Sequence, residues 1–290
     1  MRTPDGSDLL QTLTTALNIS SEPFSAFIET FAVCLQDDMA LSVDPRVCSV
    51  GVMTCSDGQA HGYRVARFME GYGIDERAIQ RFLGRAKVFD YGKVGFKVEA
   101  DTSGIQEFSI YFQSNTSLQV AHACLADSGV DADGVGLMEA VAEVLRCQEV
   151  AMTGLSVTRT NRWTEKIYFG LGPIESPLDR LREAARLCGV SDADWSPLIQ
   201  HRDVLSSPQT LLSLAYDSGR RVPGLKLDVQ GMSRHAIHQL LDGPMFAQHL
   251  DIGDLAMNSA DRGHVSLRMT PGEAIRVKVS ASGSLDEESR

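Results

Sequence analysis

Three short runs alternate charged or phenolic residues with aliphatic or aromatic ones. Lys166 and Tyr168 are interleaved with Ile167 and Phe169, Lys226 and Asp228 with Leu225, Leu227 and Val229, and Arg276 and Lys278 with Ile275, Val277 and Val279. Successive side chains of an extended strand point to opposite faces, so each run collects its apolar residues on one face and its cations on the other. An earlier segment adds Lys97 and Glu99, then Ser109 and Tyr111, by the same rule. Ammonium groups crowded together away from water repel one another and need an anion, and a diphosphate is a ligand of that kind. Glu99 and Asp228 neutralise part of such a cluster. On the solvated face of an open antiparallel sheet the same alternation needs no ligand, and alternation alone leaves both arrangements open.

The elements that must position these residues recur along the chain. Two amphipathic segments lead it, Leu9 to Leu17 and Pro23 to Leu35, the second with Phe27, Phe31, Ala32 and Leu35 at helical spacing. A first hairpin is expected from Cys48 to Cys55 and Gly62 to Met69 around Ser56-Asp57-Gly58, with Arg64 and Arg67 on its second strand. A helix around Glu76 to Leu83 precedes a second hairpin, Val94 to Glu99 and Phe108 to Phe112, turning at Asp101 to Gly104. Helices at Leu118 to Leu125 and Gly136 to Leu145 lead to a third hairpin, Val150 to Thr160 with Thr164 to Gly170. Pro177 begins a helix that stops at Gly189, and a short helix spans Trp195 to His201. Leu211 to Tyr216 and Leu225 to Val229 form the fourth hairpin, Ser233 caps a helix over Arg234 to Leu241, and Val265 to Met269 with Ile275 to Val279 forms the fifth.

The hairpins are centred near residues 58, 103, 162, 220 and 271, with helices between them. One such α-β-β-α unit cannot bury both of its apolar faces alone. Ten antiparallel strands can close into a barrel with the helices packed outside, which leaves no sheet edge exposed. The alternative is a pair of open-sheet α+β domains separated near residue 148.

Composition narrows the partners. The 38 acidic against 27 basic residues among 290 exclude a general nucleic-acid or anionic-membrane surface. No run is long and apolar enough for a membrane span, and the opening residues lack a signal-peptide core, which points to the cytoplasm. The six cysteines lack metal-ligand spacing, and Cys124, Cys147 and Cys188 fall in helical patterns as small buried hydrophobes. Asp131 to Gly134 suggests a calcium loop, but Ala140 stands where the bidentate Glu belongs, so the segment reads as a loop leading into a helix. His235 and His238 lack a third ligand and read as surface or packing residues. Nucleotide-binding glycine motifs and the nucleophile elbow are missing.

On these residues the chain resembles the ABBA aromatic prenyltransferases, whose barrel of ten antiparallel strands is made from five such repeats. The most specific part runs from Val150-Ala151-Met152-Thr153 through Glu165-Lys166-Ile167-Tyr168-Phe169, matching the third repeat and its Lys-x-Tyr element. Weaker matches are Gly224-Leu225-Lys226-Leu227-Asp228 and Leu267-Arg268-Met269-Thr270-Pro271 with Arg276 and Lys278. The resemblance covers almost the whole chain. It implies an α+β fold, a closed ten-stranded antiparallel barrel in one domain over residues 1–290; separately, residues 283–290 are expected to form a disordered tail. It implies transfer of a dimethylallyl or geranyl group from its diphosphate to an electron-rich aromatic small molecule of secondary metabolism. Arg64, Lys166, Lys226, Arg276 and Lys278 would hold the diphosphate, and Tyr111, Tyr168 and Tyr216 would shield the carbocation; Glu99 is the candidate for taking the ring proton, the alternative being a salt-bridge partner to Lys97 or another luminal cation. Some relatives bind magnesium through an Asp on the first hairpin. This chain reads Tyr63-Arg64-Val65-Ala66-Arg67 there, so turnover without metal or other cofactor is expected, by a monomer. A barrel that binds an anionic or aromatic metabolite without turning it over is the alternative.

Overall fold

The computed structural model of the chain describes residues 11, 14–15, 17–31, 39–43, 48–54, 58–88, 94–112, 115–172, 177–207, 209–242 and 262–283. Ten long strands carry its antiparallel sheet: β1 (Met39–Val43), β2 (Cys48–Thr54), β3 (Val94–Asp101), β4 (Gly104–Phe112), β5 (Met152–Thr158), β6 (Trp163–Gly170), β7 (Thr210–Asp217), β8 (Leu225–Ser233), β9 (Arg262–Met269) and β10 (Arg276–Gly283), with the two-residue strand Arg220–Arg221 added against the end of β7. Each pairs with its neighbours in sequence and β10 pairs with β1, so every one of the ten has a hydrogen-bonded strand on both sides. The pairing of β4 with β5 runs across residue 148, where the two-domain alternative would break the chain.

Helices cover one face of this sheet: α1 (Glu22–Phe31), α2 (Gly58–Gly71), α3 (Glu76–Val88), α4 (Leu118–Asp127), α5 (Ala132–Leu145), α6 (Pro177–Leu187) and α7 (Arg234–Leu241), with short helical turns over residues 192–205. Local chemistry fixes several of their ends. Asp131 accepts from the Gly134 amide at 2.8 Å and caps α5, the role the failed calcium pattern suggested, and Ser233 caps α7. Phe96, Phe108, Ile167, Leu214, Leu227 and Leu267 from the strands share one core with Met69, Phe82, Met138, Leu181 and Ile237 from the helices. Burying each such side chain contributes about 1.5–3 kcal/mol, so the apolar half of every strand is committed to the helix side.

One ion pair interrupts this apolar layer. Arg85 of α3, only 4% exposed, donates to Glu165 of β6 at 2.7 Å, and Ser128 donates to the other oxygen of that carboxylate at 2.7 Å. Burial pushes the Glu165 carboxyl up by more than the Arg85 guanidinium brings it down.

The first hairpin differs from the sequence expectation. β2 takes its partner from upstream, β1, and residues 58–71 form α2 rather than a strand. Ala66 and Met69 are buried while Arg67 and Glu70 are exposed, which is helical spacing and not alternation. Arg64 therefore sits on a helix. The other four hairpins and the helices between them occur where the spacing places them, and Leu9 to Leu17 lies mostly outside the described residues. Of the expected tail, Gly283 ends β10 and residues 284–290 lie outside the described residues. Among the described residues no helix is long and apolar enough to cross a membrane.

Candidate active site

The face opposite the helices bounds a cavity of about 330 Å³. It is lined from β3 by Lys97 and Glu99, from β4 by Glu107 and Tyr111, from β6 by Lys166, from β7 by Ser213 and Ala215, from β8 by Lys226, from β9 by Ser266 and Arg268, and from β10 by Arg276 and Lys278. Strand register explains the grouping. Tyr168, Ser213, Lys226, Arg268 and Arg276 are successive cross-strand partners, forming one row over five adjacent strands. Asp228, Ser266 and Lys278 form the next row.

Below the exposed Arg268 and Arg276, lysines and carboxylates alternate. The Lys278 ammonium donates to Glu99 at 2.7 Å, and the same oxygen accepts from Lys97 at 3.2 Å. Lys97 lies 3.8 Å from Glu107, which accepts from Lys166 at 3.0 Å, and Lys166 also reaches Ser156 at 2.7 Å. Lys226 pairs with Asp228 at 2.7 Å, and Ser266 donates to the same carboxylate. Burial alone would lower Lys97 and Lys166, but Tyr111, Glu99 and Glu107 outweigh it and keep both ammonium groups charged. Burial likewise opposes ionisation of Glu107, and Lys166 and Lys97 overcome it, bringing the carboxyl down to about 2. Glu99 is held still lower by Lys97 and Lys278 against the same burial. Burial depresses His264 to about 4, so this imidazole is neutral.

Two tyrosines stand beside the cations. The ring centroids of Tyr111 and Tyr168 are 6.1 Å apart in an edge-to-face arrangement. The Lys226 ammonium lies 5.3 Å from the Tyr168 ring and the Lys166 ammonium 5.9 Å from the Tyr111 ring. Gly154 of β5 sits between Tyr111 and Lys166 in the register, and a Cβ there would meet the Tyr111 ring at 2.9 Å. Its missing side chain lets the phenol lean across β5 toward Lys166.

Of the residues singled out from the sequence, Lys166, Lys226, Arg276, Lys278, Tyr111 and Glu99 line this cavity, and Tyr168 is buried beside it against Tyr111 and Lys226. Tyr216 is placed otherwise. It faces the helices, its hydroxyl donates to the Gly134 carbonyl at 2.9 Å, and it pairs in register with Glu165, the outward neighbour of Lys166. Arg64, on α2, is not among the lining residues. Glu107, Ser156, Ser213, Ser266 and Arg268 were not singled out. β4 begins at Gly104 rather than Phe108, so the Glu107-Ser109-Tyr111 alternation was cut short, and Ser156, Ser213 and Arg268 lie on the first strands of the third, fourth and fifth hairpins, of which only the second strands were read for their inner faces. Cys124 and Cys188 are buried, which pushes each thiol up to about 11.

The fold is that of the ABBA prenyltransferases. The chain is similar to the crystal structure of AnaPT from Neosartorya fischeri, at 11% identity with a TM-score of 0.68, covering 97% of this chain and 93% of that one. It is similar to 5-dimethylallyl tryptophan synthase from Streptomyces coelicolor in complex with DMASPP and Trp, at 12% identity, a TM-score of 0.58 and coverage of 94% and 92%. NotF in complex with brevianamide F and DMSPP gives 13% identity, a TM-score of 0.63 and coverage of 97% and 94%. No family model and no curated protein matches the chain by sequence. The resemblance read from residues 150–169 thus holds for the fold.

Proposed function

We propose that the chain is an aromatic prenyltransferase that transfers an allylic group, dimethylallyl or geranyl, from its diphosphate to an electron-rich aromatic small molecule. The observation that carries this reading is the charge of the cavity. Six cations, Lys97, Lys166, Lys226, Lys278, Arg268 and Arg276, face three carboxylates, Glu99, Glu107 and Asp228, leaving three positive charges uncompensated. An allylic diphosphate carries about three negative charges once its terminal phosphate is ionised, and offsets that surplus. The solved relatives support the donor class, since their complexes hold DMASPP with Trp and DMSPP with brevianamide F.

The chemistry follows from the arrangement. As the allylic carbon–oxygen bond breaks, both electrons leave with the diphosphate, and Lys166, Lys226, Lys278 and the two arginines stabilise the growing charge. Tyr111 and Tyr168 present ring faces to the allyl cation and keep water from it. The acceptor ring attacks the cation, and loss of a ring proton restores aromaticity. Glu99 is the assigned proton acceptor: a donor that takes over Lys97 and Lys278 removes the charges that hold this carboxylate so weakly basic. Ammonium and guanidinium groups supply the positive charge around the leaving group in this reading, so turnover is expected to survive a chelator.

The same reading takes the ten strands as one closed barrel in a single domain, supported by the β10–β1 and β6–β7 pairings, and the protein as a cytoplasmic monomer. The test is incubation with dimethylallyl or geranyl diphosphate and a panel of phenols, naphthalenediols, phenazines and indoles, with and without EDTA. Alkylated product is the expected result. Donor binding without product from any acceptor would instead identify a non-catalytic metabolite-binding barrel.

A further inference from the structure

Tyr111 occupies an unusual position among the cavity side chains. It leans over the bare backbone of Gly154 toward Lys166, with the ammonium 5.9 Å from its ring centroid, and its ring edge meets Tyr168. The groups that face it are Lys97 from β3, Glu107 and Ser109 from its own strand, Lys166 and Tyr168 from β6, and Lys226 from β8. Gly154 and Ala215, from β5 and β7, present no polar side chain. Glu99 and Glu107 only partly cancel Lys97, Lys166 and Lys278, so this pocket has room for one more negative charge before any ligand enters.

We infer that Tyr111 rests as a phenolate, serving as an internal counter-anion to Lys97 and Lys166, and takes a proton from solvent when the donor diphosphate replaces it in that role. The inference rests on the prenyltransferase reading for the identity of the ligand. Burial pushes the Tyr111 phenol up, yet Lys166 and Lys97 outweigh it with help from Lys226, and against Glu107 they bring it down to about 7. Tyr168 is the opposite case: burial first, then Tyr111, Asp228 and Glu107 hold it protonated, so it can donate to the Tyr111 oxygen. The two phenols therefore share one ionisation between them. Only the O–H bond of Tyr111 forms in the exchange, and the neutral phenol then offers a donor to the bound diphosphate and an uncharged ring to the allyl group.

Diphosphate arrival surrounds Tyr111 with negative charge and returns it toward its ordinary value of about 10. Binding then consumes one proton, and the donor dissociation constant rises about tenfold per pH unit between roughly 7 and 10. The tyrosinate ultraviolet band of the full chain follows this directly. In the free protein one tyrosine should ionise near pH 7, and a saturating thiolo-diphosphate analogue of dimethylallyl diphosphate should remove that step. Calorimetry of the analogue at pH 8 in buffers of different ionisation enthalpy should show uptake of one proton. Tyr111→Phe should lack both the step and the uptake, and Lys97→Gln should move the step upward. A free protein without the low step, or the same step in Tyr111→Phe, overturns the phenolate assignment. Analogue binding that leaves the step unmoved overturns the exchange alone, whereas no analogue binding overturns the donor reading beneath it.

Discussion

Glu165 and Lys166 are consecutive residues of β6 that serve opposite faces of the sheet. Glu165 accepts from Arg85 at 2.7 Å on the helix side, while Lys166 donates to Glu107 at 3.0 Å in the cavity. One charge secures the wall and the next faces the cavity, and their loss is expected to have different consequences.

Arg85→Met leaves Glu165, 2% exposed, without its cation. Urea unfolding should show a loss of about 3–5 kcal/mol, because an unpaired buried carboxylate is the costly state rather than the missing pair. Adding Glu165→Leu should restore most of the stability. An Arg85→Met protein as stable as the parent would mean that the pair is solvated.

In the proposed reaction, Lys166→Met removes a charge needed most as the diphosphate departs. The expected effect is a fall in kcat of about 100-fold or more with a much smaller change in unfolding free energy. Unchanged kinetics would remove Lys166 from the site.

Tyr168→Ala opens the wall beside Lys226 without removing a cation. Donor consumption should continue while a larger share of the allyl group is captured by water, read as allylic alcohol against alkylated product. An unaltered product ratio would show that Tyr168 does not shield the cation.

Acid stability should report Glu107. Its carboxyl is lowered from 4.5 in the unfolded chain to about 2 in the folded one, so its ionised form stabilises the fold above pH 4.5. That contribution is lost as pH falls from 4.5 toward 2, and Glu107→Gln should flatten the decline there. A Gln variant with the parent's acid profile would contradict the pairing with Lys166 and Lys97.

Most of the fold was legible because it is written locally. Alternation marks strands, and turn residues separate them, as at Asp101 to Gly104. The first hairpin was misread because two apolar runs flank Ser56-Asp57-Gly58 and a turn signal does not say which run is a strand. The partner of β2 lay upstream, and α2 is distinguished only by the spacing of Ala66 and Met69. Tyr216 was misread because a tyrosine suits a cavity wall as well as a helix contact; its parity with Leu212 and Leu214 decides for the latter.

The sequence by itself determined which strand residues share a face, since a period of two is a property of extended backbone and needs no partner. It thereby grouped Lys166 with Tyr168, Lys226 with Asp228, and Arg276 with Lys278. Only the tertiary structure decided which strands lie side by side and in what register. That choice put Glu99, of β3, between Lys97 and a lysine 179 residues away, Lys278. It also set Gly154 under Tyr111 and gave three carboxylates to six cations. Long-range pairing depends on how all the helix-facing surfaces fit together, and no short stretch of sequence contains that sum.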